Sequence, residues 1–194
     1  MKLKIITSIS LFFLMIQSSL PQNVQQLNYF IDSLFLDYDQ PKTPGASVIV
    51  IHNGQIILDE SYGFGNLEKE ERATRNTNYR LASITKQFTA AAILMLVERN
   101  KLTLNTKLTN VFNSFPEYGN RITIYQLLTH TSGLIDYESL IPDTATEQVH
   151  DIDVLNMMMR IDSTYFEPGT DFRYSNTGYA LLSLIVEKIS GIFF

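Results

Sequence analysis

The hydrophobic pattern of the chain opens with one continuous apolar run and then alternates between two periods. Residues 5–16 are mostly apolar, Lys2 and Lys4 precede them, and Gln17-Ser18-Ser19 follows. A positive start, a short apolar stretch and then small polar residues predict a secretion signal over residues 1–21. The run is too short for a bilayer span, which takes about 20 apolar residues. Leu27, Phe30, Ile31, Leu34 and Phe35 then recur at helical spacing, predicting a helix over residues 24–38 that Pro41 and Pro44 end. The period drops to two in Ala46–His52, which is rich in β-branched residues. Asn53-Gly54 is a strong hairpin signal, and Gln55–Tyr62 reads as the returning strand, with Val48, Val50, Ile56 and Leu58 on one face. Asn66 to Asn78 is polar, charged and aperiodic, and reads as a surface loop. A helix starts at Ser83, and the nearly all-apolar stretch from Ala90 to Glu98 predicts burial over most of its circumference. Further helices are predicted over residues 122–128 with Thr123 as N-cap, over 151–161 with Asp153 near the start, and over 177–190 with Gly191 as the stop. Two strands followed by several helices predict an α+β architecture.

Composition narrows the function classes. With 194 residues, of which 45% are hydrophobic, the chain suits one domain or two small intertwined ones, and wholesale disorder is excluded. The absence of cysteine rules out a disulfide framework, a thiolate nucleophile, a zinc ribbon and an iron–sulfur site. It also rules out a lipoprotein anchor behind the apolar run, so the expected mature protein, residues 22–194, is soluble and either secreted or periplasmic. The net charge is −5. Removing residues 1–21 lowers Lys plus Arg from 15 to 13 against 20 acids, a net of −7. Such a balance argues against nucleic-acid binding through a basic face. His52, His130 and His150 form no metal-ligand spacing, and no metal or cofactor is expected.

The candidate chemistry starts at Ser83-Ile84-Thr85-Lys86. Residues three apart on a helix share a face, so the Ser83 hydroxyl and the Lys86 ammonium are expected to be neighbours. An alcohol is a weak nucleophile until a nearby base takes its proton, and a lysine in an apolar setting can take part in that transfer. The motif alone is common, because an S-x-x-K should arise by chance about once in a chain of this length. A second element is Tyr174-Ser175-Asn176. If extended, it points its phenol and carboxamide the same way. Tyr118-Gly119-Asn120 repeats the Y-x-N pattern, and pattern alone does not separate the two. His130 reads as a structural histidine rather than a base, and Met157-Met158-Met159 as helix packing.

Context separates the two tyrosines. Leu127-Leu128-Thr129-His130-Thr131-Ser132-Gly133-Leu134, and the stretch from Phe166-Glu167-Pro168-Gly169 through Phe172-Arg173-Tyr174-Ser175-Asn176-Thr177-Gly178-Tyr179, strongly resemble the serine β-lactamase-related family. That family groups class C β-lactamases, D-alanyl-D-alanine carboxypeptidases and β-lactamase-like esterases. The resemblance runs from about Pro44 to Gly191, and the interval from Ser83 to Tyr174 resembles the family's, whereas Tyr118 lies too close. It implies a β-lactamase/transpeptidase-like α+β fold, with an antiparallel sheet flanked by helices and a helical region. It further implies Ser83 as the acylated nucleophile, Lys86 as base or proton shuttle, Tyr174 as second proton-transfer group and Asn176 as substrate-orienting residue. The implied partner is a small-molecule or peptide substrate: a β-lactam, a D-Ala-D-Ala peptide or a small ester. Relatives carry a third motif, Lys-Thr-Gly or His-x-Gly, on a later strand, and nothing after Tyr174 matches it. The chain is therefore expected to be the N-terminal portion of such a domain, and either inactive or aggregation-prone by itself. The competing expectation is an inactive remnant or a non-catalytic binding protein of the same family.

Overall fold

The computed structural model describes residues 19–194. Nearly all of the predicted secretion signal lies outside the described residues. The chain divides into two compact units, with the boundary between Arg80 and Leu81.

The first unit contains helix α1 (Ser19–Leu34) and two small antiparallel sheets, one of β1 (Ala46–His52) with β2 (Gln55–Tyr62), the other of β3 (Phe64–Asn66) with β4 (Glu71–Arg72). The β1–β2 hairpin turns through Asn53 and Gly54, both at positive φ (49° and 77°), the backbone that this dipeptide adopts most readily. Val48 and Val50 lie opposite Glu60 and Leu58, so the expected face holds for Val48, Val50 and Leu58. Ile56 departs from it. The register shifts between Val50 and Ile51, and Ile56 pairs with Ile51 near the exposed tip. The stretch expected to be a plain loop carries β4, because Arg72 returns opposite Phe64 and the Ala73 amide donates to the Gly63 carbonyl. Helix α1 ends earlier than its apolar spacing suggests, and the chain turns at Phe35 and Tyr38. The α1 helix is tied to β2 by the Tyr62 hydroxyl, which donates to Asp32 at 2.7 Å, and the Phe35 ring beyond α1 stacks on Tyr62.

The second unit is helical. A 3₁₀ turn (Ala82–Ile84) leads into α2 (Thr85–Glu98), followed by α3 (Leu108–Val111), α4 (Ile124–Leu128), α5 (Asp151–Met158) and α6 (Asn176–Ser190). Short 3₁₀ turns at Glu117–Arg121 and Tyr137–Leu140 interrupt the connections. Thr123 caps α4 as expected, in a reciprocal box with Gln126. Helix α5 stops at Met158 rather than Ile161, since the Arg160 and Ile161 amides tighten onto the carbonyls three residues back. Gly191, at φ 73°, closes α6 in the left-handed conformation that a glycine accepts without penalty.

Helix α6 is the centre of this unit. It buries Leu181, Leu182, Ile185 and Val186, and packs against α2, α4 and α5. Ile93 and Leu96 of α2, Leu127 of α4 and Leu155 and Met158 of α5 complete the same cluster. Met157 and Met159 pack on its edge, in keeping with a packing role for the methionine run. Helix α2 is less enclosed than its composition suggests: Thr89, Ile93 and Leu96 are buried, whereas Phe88, Leu94 and Met95 are about half exposed. The apolar run Ala90–Val97 has no polar stripe to aim one face inward, so tertiary packing, chiefly against α6, selects the buried face.

Candidate active site

Ser83 sits in the 3₁₀ turn that precedes α2, not in the α-helix itself. The residue before it, Ala82, has φ 46°, a left-handed backbone that costs a non-glycine residue roughly 1–2 kcal/mol. Strain of this kind persists only where the surroundings hold it, and here it aims the side chain that follows. Lys86 lies in the first turn of α2, and its Nζ donates to Ser83 Oγ at 3.1 Å. Tyr174 and Asn176 arrive from the other direction. Tyr174 ends the extended approach to α6, and Asn176 is the first residue of that helix. The Ser83 and Tyr174 hydroxyls are 2.6 Å apart, and Lys86 Nζ donates to Asn176 Oδ1 at 2.6 Å. Residues 90 positions apart thus converge on one hydrogen-bonded cluster, whose ammonium also lies 4.9 Å from the Tyr174 ring centroid.

The electrostatics follow from that cluster. The Lys86 ammonium beside the ring, and secondarily the hydrogen bond with Ser83, hold the Tyr174 phenol below its ordinary value of 10.0. A phenol lowered in this way gives up its proton more readily than a free one, which suits a proton-transfer group beside the serine. His130 packs its ring 4.6 Å from that of Tyr174, and its Nδ1 accepts the Ser175 amide at 3.3 Å. Burial, and then the nearby Lys86 charge, push the imidazole below 6.5, which favours the neutral ring that can accept this bond. His130 itself has φ 59°, in a loop that Gly133 (φ 70°) continues. A Cβ at Gly133 would lie 2.4 Å from the Phe166 carbonyl oxygen, so the close passage of the two segments requires glycine. The Thr131-Ser132-Gly133 segment therefore shapes the wall behind Tyr174: Thr131 and Gly133 carbonyls accept the Gly169 and Tyr165 amides.

All four residues singled out in the sequence, Ser83, Lys86, Tyr174 and Asn176, are brought together. The second Y-x-N is not. Tyr118 is buried, donates to the Met158 carbonyl at 2.8 Å and has its ionisation disfavoured by burial, while Asn120 bonds Thr109. It is a core tyrosine. Two contributors escaped sequence reading. Glu138 accepts the Asn176 carboxamide at 2.8 Å, and the buried Thr177 hydroxyl accepts the Tyr137 amide at 2.8 Å while donating to the Ile135 carbonyl at 2.8 Å. Thr177 lies within the family-like stretch and directly after Asn176, but nothing in that pattern showed its two backbone partners. For Glu138 no local pattern existed.

An open cavity of about 540 Å³ borders this cluster, lined by Ser83, Lys86, Tyr137, Glu138 and Asn176 among others. Among the described residues no group of three or more His, Cys, Asp or Glu is placed to hold a metal ion. The arrangement offers a hydroxyl nucleophile, two groups able to move its proton and a carboxamide beside them, which is the equipment of acyl transfer.

A family model described as Beta-lactamase matches residues 22–193. The chain belongs to the beta-lactamase family. Within it, the chain is 33% identical over 170 residues to Protein flp of Staphylococcus aureus (strain COL), covering 86% of this chain and 33% of that protein. It is 35% identical over 167 residues to Penicillin-binding protein 4* of Bacillus subtilis (strain 168), covering 84% of this chain and 36% of the relative. Among solved structures, the D-amino acid amidase of Ochrobactrum anthropi SV3, complexed with L-phenylalanine amide, superposes with a TM-score of 0.71 at 26% identity. That match covers 87% of this chain and 47% of the amidase. The chain thus spans about a third of the length of these two curated relatives. Its fold is the β-lactamase/transpeptidase-like α+β fold that the motifs implied, seen over the helical region and small antiparallel sheets.

Proposed function

We propose that this chain carries the acylation machinery of a secreted or periplasmic serine hydrolase. The observation that carries the reading is the 2.6 Å approach of the Ser83 and Tyr174 hydroxyls beside Lys86 Nζ. Ser83 Oγ attacks the carbonyl carbon of the substrate, and its proton passes to the Tyr174–Lys86 pair. The tetrahedral intermediate collapses as the leaving group takes a proton back from that pair, giving a Ser83 ester. Water, deprotonated by the same groups, then releases the acid and restores the serine. Tyr174 and Lys86 act as one coupled acid–base unit in this scheme. Asn176, anchored on Lys86, turns its remaining amide hydrogen toward the acyl group.

The substrate is a carboxylic acid derivative: a β-lactam, a D-Ala-D-Ala-terminated peptide or amide, or a small ester. Kinship with a penicillin-binding protein and structural likeness to a D-amino acid amidase support this range. Export rests on Lys2, Lys4 and the apolar run behind them, and N-terminal sequencing of the exported product would locate the cut.

The direct test is intact-mass spectrometry after incubation with a fluorescent penicillin and, separately, with p-nitrophenyl acetate. This reading requires a single acyl adduct on the peptide containing Ser83, absent in Ser83→Ala, against the expectation from sequence that the chain by itself is inactive. A folded chain that accepts neither acyl group would overturn the enzyme reading and favour a non-catalytic member of the family.

A further inference from the structure

We propose that Glu138 is a positioning residue that sets the orientation of the Asn176 carboxamide. The inference rests on the acyl-transfer reading above. A carboxamide has two ends of nearly equal shape and opposite hydrogen-bonding character, so something must decide which end faces which neighbour. At Asn176 the oxygen accepts from Lys86 Nζ at 2.6 Å, and the nitrogen donates to Glu138 Oε1 at 2.8 Å. A half-turn of the amide would set donor against donor at Lys86 and acceptor against acceptor at Glu138. An ammonium alone would prefer the observed orientation, but a neutral amine accepts a hydrogen as readily as it gives one. When the Tyr174–Lys86 pair exchanges protons, only Glu138 still distinguishes the two orientations. Bonds to charged partners are also the stronger kind, and this carboxamide has one at each end.

Glu138 is itself held in place. It lies in the 3₁₀ turn Tyr137–Leu140, where its amide donates to the Asp136 carboxylate. The preceding residue hangs from Thr177, whose fully buried hydroxyl takes the Tyr137 amide and grips the Ile135 carbonyl. Thr177 directly follows Asn176 in α6, so the carboxylate and the carboxamide it orients are mounted on one clamp. With one hydrogen of its nitrogen committed to Glu138, Asn176 keeps a second, in a direction no longer free to change, for the acyl carbonyl of the substrate. Glu138 thus acts through Asn176, and its hydrogen bonds reach neither Ser83 nor Tyr174.

The test is a double-mutant cycle on acylation rate with E138A, N176A and the double variant, plus E138Q as the conservative replacement. E138A should slow acylation by about tenfold, the size expected for loss of one charge-assisted hydrogen bond. E138Q, which keeps an acceptor at the same reach, should recover most of that loss. The double variant should be no slower than N176A, because the effect of Glu138 passes through Asn176. A second readout needs no turnover. The side-chain amide resonances of Asn176, identified by their loss in N176A, should move in E138A while thermal stability stays nearly unchanged. If the wild type takes no acyl group, the enzyme reading fails, yet these resonances still decide the role of Glu138. Additive rate effects, or unmoved Asn176 resonances in E138A, would overturn the proposal.

Discussion

The two units of this chain solve the burial problem in opposite ways. In the second unit, helices from distant parts of the sequence share one apolar cluster, and Ile93, Leu108, Leu127, Met158, Leu181 and Ile185 are shielded from solvent. In the first, the buried apolar side chains among the described residues are Leu58, Tyr62 and Ala73, while Ile49, Ile51 and Ile56 of the hairpin are half or more exposed. Every residue proposed for acylation belongs to the helical unit, and each is at most one turn from a helix rooted in the shared cluster. Ser83 and Lys86 precede or open α2, and Tyr174 and Asn176 precede or open α6. Chemistry that depends on distances of 2.6–3.1 Å is thus mounted where side chains are least free to shift.

That contrast has measurable edges. The largest effect is expected for Leu181→Ala, which hollows the centre of the α6 packing. It should cost about 2–5 kcal/mol in denaturant unfolding, and lose acylation as the site comes apart. A loss below 1 kcal/mol would mean that the helical unit is not the rigid partner. Next is Thr177→Val, which keeps the volume and deletes one hydroxyl with two backbone partners. A cost of about 1–3 kcal/mol is expected from the buried Tyr137 amide and Ile135 carbonyl left unmatched.

A subtler effect concerns pH. His130 is held below its ordinary 6.5 by burial and by Lys86, so above that value both folded and unfolded chains carry it neutral. As pH falls below 6.5, the unfolded chain takes the proton first, and stability declines until the pH passes the lower native value. Protonated Nδ1 also ceases to accept the Ser175 amide. Stability and acylation of the wild type should therefore both fall across this window, and His130→Gln should flatten the stability slope there. An equal slope in the variant would show that other groups set it. The smallest effect is expected in the first unit, where Ile51→Thr, on the exposed hairpin tip, should change stability by no more than about 0.5 kcal/mol. A loss comparable to that of Leu181→Ala would erase the contrast altogether.

Much of this molecule was legible one residue at a time. The Asn53-Gly54 turn, the Thr123 cap and the Gly191 stop are local signals, and each stands where local chemistry puts it. The Ser83–Lys86 contact followed from the i, i+3 spacing, although Ser83 stands in the 3₁₀ turn before the helix. What was not legible depends on partners far along the chain. Helix α2 gave no hint of which apolar face would be covered, because its stretch Ala90–Val97 is apolar on every side and packing, chiefly against α6, makes the choice. Strand β4 is too short to show a period, and exists because Arg72 finds Phe64. Glu138 sits among other polar residues with nothing to distinguish it until the fold sets it beside Asn176. The two Y-x-N tripeptides lie between these cases, because the segments around them, not the tripeptides, tell them apart. They are indistinguishable as patterns, yet the hydroxyl of Tyr118 is spent on a core carbonyl while that of Tyr174 faces a serine.

The left-handed backbone at Ala82 sets a limit on how the site can vary. Position 82 lines the cavity beside Ser83 and takes no part in the proposed proton transfers, yet its set of acceptable residues is narrow. Glycine, asparagine and aspartate tolerate this conformation, and valine, isoleucine and threonine do not. A saturation library at that position would return a short list governed first by backbone geometry, however freely the residues around it were chosen for a new substrate. The nucleophile thus travels with its predecessor, as a two-residue unit of inheritance.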